Sequence, residues 1–147
     1  MDSFDPYKST ETTEIPLEQK LIAEQNIFGT ILGSLVGAVP GFLIYLWLLS
    51  FPFYAVLGYF IPGLFIGLFA AFMGRGIDKV HRLASAAVTV IIASVIVIVF
   101  DTDSSIIALS LVNAVVAAFS ATRWLSREQE DAIFDYKIGY RKTKKQQ

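Results

Sequence analysis

The sequence predicts an all-α integral membrane protein with four transmembrane helices in two hairpins and both termini in the cytoplasm. Three observations predict it. Charge is missing over long stretches: 50 consecutive residues between Glu24 and Arg75, 18 between Arg82 and Asp101, and 19 between Asp103 and Arg123 carry none. An apolar run of 18 or more residues is long enough to cross about 30 Å of hydrocarbon as a helix. Composition agrees, with 54% hydrophobic and 17% charged residues and a mean hydropathy of +0.58, against about a quarter charged in soluble domains. Finally, all twelve lysines and arginines fall on one side of a four-span arrangement, and positive charge is retained in the cytoplasm.

The longest charge-free run must hold two spans, because a single 50-residue helix would be about 75 Å long. Its break is expected at Ser50-Phe51-Pro52, since proline suits the first turn of a helix. The spans are therefore placed at about 27–49, 53–73, 83–100 and 105–122. The third is rich in valine and isoleucine, yet in lipid every backbone polar group must be paired internally, so it too is expected as a helix. Tyr45, Trp47, Phe51, Phe53 and Tyr54 cluster at the outer end of the first hairpin. Trp124 closes the inner end of the fourth span, where an amphipathic ring suits the headgroup layer.

Residues 1–26 form an acidic N-terminal tail, in which Pro16 opens a short helix carrying Leu17 and Leu21 towards the first span. Residues 123–147 form an amphipathic, basic C-terminal tail. There Ser126 precedes a helical pattern containing Ile133, Phe134, Tyr136 and Ile138, followed by Arg141, Lys142, Lys144 and Lys145. Such a helix suits a membrane surface or a partner. The final Lys144-Lys145-Gln146-Gln147 also has the form of a dilysine retrieval signal, a pattern that a lysine-rich tail produces by chance.

Seven of the ten glycines fall in the first two spans. Gly29, Gly33, Gly37 and Gly41 recur every fourth residue, with Gly63 and Gly67 in the second span and Ala117 on a milder small-residue face of the fourth. Stripes of this kind let membrane helices approach closely, either within the chain or between copies in an oligomer. Pro40-Gly41 and Pro62-Gly63 are expected at similar depth, about 15 Å from the outer surface. Two kinks at mid-depth could form a small inverted element of the type at which transporters hold substrates, or be ordinary membrane-helix kinks.

No Asp, Glu, Lys, Arg or His falls inside the four expected spans. Asn113 is the most polar side chain there, either glue between helices or part of a pore-lining ring. Thr30, Ser34, Thr89, Ser94 and Ser110 are the other polar candidates. His81 is placed in the loop between spans two and three, together with Arg75, Lys79 and Arg82. Those three cations share a face if the loop is helical and could hold lipid headgroups, or simply fix the topology. Asp101 and Asp103 are expected as helix caps in the outer turn. The sequence contains no cysteine and offers no catalytic constellation, metal site or cofactor-binding motif. Its composition argues against a soluble enzyme, a nucleic-acid-binding domain and a disulfide scaffold.

Tyr59-Phe60-Ile61-Pro62-Gly63-Leu64-Phe65-Ile66-Gly67, followed by Gly74-Arg75-Gly76-Ile77, resembles a segment of small bacterial inner-membrane proteins with four transmembrane helices. The similarity runs from Tyr59 to Ala86. It implies the bacterial cytoplasmic membrane and carries no activity or functional residue with it. The expected function is that of a non-enzymatic small subunit, packed through glycine-lined helices into a larger membrane assembly and docking partners with its tails. Its partners would be the bilayer and other membrane subunits or copies of itself, without nucleic acid. The alternative is a homo-oligomeric channel or small transporter with a path near Asn113, Pro40 and Pro62.

Overall fold

A computed structural model describes residues 15–51, 53, 58–100 and 105–139. Among these the chain forms six helices and no strand: α1 (Leu17–Ala23), α2 (Ile27–Leu48), α3 (Ile61–Gly74), α4 (Lys79–Phe100), α5 (Ser105–Ser120) and α6 (Arg127–Lys137). Two of them, α2 and α4, are long and apolar enough to cross a membrane, and α3 and α5 are shorter apolar helices. Pro52, Tyr54, the Asp101–Ser104 turn, the first fourteen residues and the basic end from Arg141 to Lys145 lie outside the described residues, so the expectations placed there are not addressed.

The helix boundaries follow from local chemistry. Asn26 caps α2, its side chain accepting the Gly29 N–H at 3.1 Å. The chain between α1 and α2 leaves helical geometry at Gln25 and Asn26, so α1 does not run on into α2. Helix α2 continues through Pro40, although proline removes one ladder hydrogen bond. Helix α3 ends at Arg75, which takes a left-handed conformation at φ 47° and donates its N–H to the Ala71 carbonyl. The chain then needs only three further residues before α4 starts at Lys79. That start is four residues earlier than the sequence suggests, and it moves Lys79, His81 and Arg82 out of the expected loop and into the helix. Ser126 and Gln129 form a reciprocal capping box at the start of α6, the arrangement that satisfies two orphan N–H donors at once.

One expectation fails clearly. Pro62 does not kink a span at mid-length; it occupies the first turn of α3, which begins at Ile61. A missing N–H costs nothing there.

Residues 24–124 form one compact unit, and residues 1–23 with 125–147 form another. In the smaller unit α1 packs against α6, with Leu21 and Ile133 buried. In the larger unit α2 packs most extensively on α3, α5 on α4 and α3, and α4 also on α2. The interior of this four-helix unit is small and polar: Ala38, Ala70, Ala117, Thr30, Ser34, Ser85 and Thr89 are buried, and Ile66 is the largest fully buried side chain. Its outer faces carry the bulk. Leu32, Leu43, Leu68, Phe72, Ile98, Leu111 and Phe119 are all exposed, the reverse of the distribution in soluble proteins.

Candidate functional site

The glycines set how closely the helices approach. A side chain added at Gly29 would run into the carbonyl of Met73, at Gly33 into that of Phe69, and at Gly37 into that of Phe65. At Gly41 it would lie 2.9 Å from the Pro62 Cα. The α2 stripe therefore lies directly on the α3 backbone of the same chain. This register also brings the Pro40-Gly41 pair level with Pro62. On its other face α3 uses Gly63 against the backbone of Asn113, and Gly67 against Ala117 and Ser120 of α5. The stripe is buried against α3, which is the packing within the chain that its spacing allowed.

At one end of the bundle the crossings are tied together by hydrogen bonds. The Asn26 N–H donates to the Gly74 carbonyl at 2.8 Å, and the Arg123 N–H to the Gly76 carbonyl at 3.0 Å. Gln25 bridges to the turn after α3: its Oε1 accepts the N–H groups of Ile77 and Asp78, and its Nε2 donates to the Asp78 carboxylate at 3.2 Å. Glu24 pairs with Arg123 at 2.7 Å and with Arg75 at 3.6 Å. Arg75 is thus engaged by a carboxylate, and it sits at the C-cap of α3 rather than on a helix with Lys79 and Arg82. The three cations do not form one helical face. Lys79 and Arg82 are exposed in the first turn of α4.

Behind this clasp a seam of buried polar groups joins α2 to α4. Only 5% of His81 is exposed, and its Nδ1 is hydrogen-bonded to the Thr30 hydroxyl. Gly76 lies so close to the ring that any side chain there would collide with it. The Ser34 hydroxyl donates to the Thr30 carbonyl at 2.9 Å and lies 3.3 Å from the Ser85 hydroxyl. The Thr89 hydroxyl donates to the Ser85 carbonyl at 2.9 Å. Buried polar groups persist only when paired, and the i, i+4 spacing of Thr30 and Ser34, and of His81, Ser85 and Thr89, stacks both sets on facing sides. The sequence reading took His81 for a loop residue and missed its burial, although the four-residue spacing was visible.

Beyond Thr89 the bundle opens into a cavity of about 440 Å³ between α2, α3, α4 and α5. Apolar wall comes from Phe42, Ile66 and Ile96, and polar groups from Tyr45, Tyr59 and Asn113. The lining also includes Pro62, Thr89, Ala93 and Ser110, and among the described residues it contains no Asp, Glu, Lys, Arg or His. The Tyr45 and Tyr59 rings stand 6.1 Å apart, tilted by 41°. Asn113, 8% exposed, has a defined structural task. Its Oδ1 accepts the Gly63 N–H at 2.8 Å, and its Nδ2 is 3.4 Å from the Leu109 carbonyl. A helix N-terminus leaves its first N–H groups without intrahelical partners. Phe60, at the N-cap of α3, has no side-chain acceptor to offer, so Asn113 supplies the cap from the neighbouring helix. Among the described residues no three His, Cys, Asp or Glu side chains come together as metal ligands.

The cavity collects Pro62 and Asn113 from the sequence candidates and adds Tyr45, expected only as a member of the outer aromatic cluster, and Tyr59, to which the sequence assigned no task. Pro40 is half-buried in α2 and is not part of the lining. Comparison with protein-family models, curated proteins and solved structures finds no match to this chain.

Proposed function

We propose that the chain is a four-span integral membrane protein, both termini cytoplasmic, in a bacterial inner membrane, and that it binds or carries a small molecule inside its bundle without acting on it chemically. The observation that carries this reading is the cavity. At about 440 Å³ it falls in the range that accepts drug-sized ligands, and it combines apolar walls with a few convergent polar groups. The membrane setting is supported by the inverted distribution of bulk. Large apolar side chains cover the outside while glycine, alanine, serine and threonine fill the inside, and an exposed apolar surface of this extent marks contact with lipid or protein.

Binding is preferred to catalysis because the described residues of the lining bring phenols, hydroxyls and an amide but no carboxylate, imidazole or amine to take up a proton near neutral pH. It is preferred to the subunit reading because the glycine stripe that would have packed against other subunits lies on α3. Ala93, 6% exposed, lines the cavity, and Ala93→Phe would put a phenyl ring into it. Native mass spectrometry of the protein extracted gently from its own membrane should find one small molecule per chain, lost in that variant. A parent protein that carries no ligand under any extraction, or a ligand retained unchanged by Ala93→Phe, would count against the cavity as the site. A reporter fused at Gln147 should read as cytoplasmic; an extracytoplasmic reading would overturn the topology.

A further inference from the structure

Several polar groups around the cavity have hydrogen-bond donors that the described residues do not use. Among the described residues, the hydroxyls of Tyr45 and Tyr59 have no hydrogen-bond partner, and both residues line the cavity. Asn113 spends its carbonyl oxygen on the Gly63 N–H, while its amide nitrogen has two hydrogens and one long bond of 3.4 Å. Thr89 donates its hydroxyl proton to Ser85. The unspent capacity includes three donors, two phenol O–H groups and an amide N–H, beside lone pairs on the hydroxyl oxygens. A half-buried donor without an acceptor is a standing cost that a bound acceptor removes. Among the described residues no ionised side chain lines the cavity, so a charged ligand would lose its hydration without gaining a counter-ion from them.

From these observations we infer that the cavity takes a neutral, largely apolar molecule that presents a carbonyl oxygen to the Tyr45 and Tyr59 phenols, with the Asn113 amide as a further donor. This rests on the reading of the cavity as a binding site. A carbonyl on an apolar body has two natural sources, a ring dione of the quinone type and the acyl ester of a lipid. Both present the same chemistry to the phenols.

The test uses the full chain in nanodiscs of a dialkyl-ether phosphatidylcholine, which contains no carbonyl, with native mass spectrometry as readout. Three probes are compared: menadione as the ring dione, methyl oleate as the acyl ester, and 2-methylnaphthalene as a ring of similar shape without an acceptor. At least one carbonyl probe should bind one per chain and about tenfold more tightly than 2-methylnaphthalene, the worth of one hydrogen bond. Whichever carbonyl probe binds identifies the source. The preference should vanish in the Tyr45→Phe/Tyr59→Phe double variant, which keeps both rings and so the packing. If 2-methylnaphthalene binds as tightly as the carbonyl probes and is displaced by Ala93→Phe, the inferred chemistry is wrong while the cavity stands as a site. If no probe binds at all, the cavity reading fails and this inference with it. A carbonyl preference that survives in the double variant would remove the phenols from recognition.

Discussion

The two ends of the four-helix unit are built on opposite plans. At the end where residues 24–26 meet residues 74–78 and Arg123, backbone hydrogen bonds, the Gln25 bridge and the Glu24 ion pairs leave the crossings tied on every side. At the other end α2, α3, α4 and α5 border about 440 Å³ of space, where among the described residues two phenols have no hydrogen-bond partner. The physical difference lies in what fills the interior. Glycine and small hydroxyl-bearing side chains pack the tied end, whereas Phe42, Tyr45, Tyr59 and Ile96 border the cavity, beside which Gly41 and Gly63 still hold α3 close to α2 and α5. Close backbone approach thus continues from one end of the α3 packing to the other, while among the described residues the ion pairs and the Gln25 bridge lie at one end.

Substitutions can pull these two ends apart. The largest effect is expected from Gly33→Leu, because its side chain would have to displace the α3 backbone at Phe69. A loss of more than about 3 kcal/mol, read as collapse of folded yield and of thermal stability in detergent, is expected without any change in the cavity lining. Next comes Asn113→Leu, which orphans the Gly63 N–H and should cost about 1–3 kcal/mol. Unlike the glycine variant, it should also weaken retention of the bound molecule.

Thr30→Val keeps the volume but removes the partner of His81. It should cost about 1–2 kcal/mol in a denaturation titration while leaving ligand retention unchanged, and altered retention would show that the tied end and the cavity are coupled. Glu24→Gln removes pairs at 2.7 and 3.6 Å whose side chains are partly exposed, so about 1 kcal/mol or less is expected, diminishing with added salt. The smallest effect should come from Leu32→Ala on the outer face, where half of the residue is exposed; its thermal midpoint should stay within the scatter of the parent, corresponding to about 0.5 kcal/mol or less.

Much of the helical layout was legible in the sequence because it depends on composition alone. The charge-free stretches place α2, α4 and α5 within a few residues of where they lie, and the four-residue glycine spacing marks a close-packing face. What that face packs against was not legible, since a small-residue stripe looks the same whether its partner is α3 or another chain. Pro62 was misread for a related reason. Whether a proline kinks a helix or starts one depends on where the preceding segment stops, and here α3 begins at Ile61. His81 falls in a loop when the third span is started after its last preceding charge, Arg82, whereas α4 starts at Lys79 and carries that charge within its first turn. Asn113 was weighed as glue or pore lining, but its task as a cap for another helix required knowing that Phe60 leaves the α3 N-terminus without a side-chain acceptor.

The start of α3 at Ile61 has an electrical consequence. A 14-residue helix is about 21 Å long, shorter than the hydrocarbon layer it is proposed to cross. On the proposed topology its first turn, with Pro62 in the cavity wall, would fall inside that layer. The N-terminal end of a helix carries roughly half a positive charge, which would give the cavity a positive potential without an ionised group from the described residues. Half-helix ends of this kind repel protons and metal cations in membrane pores. A bundle so arranged could hold a neutral molecule in the bilayer without becoming a leak for the ions on either side.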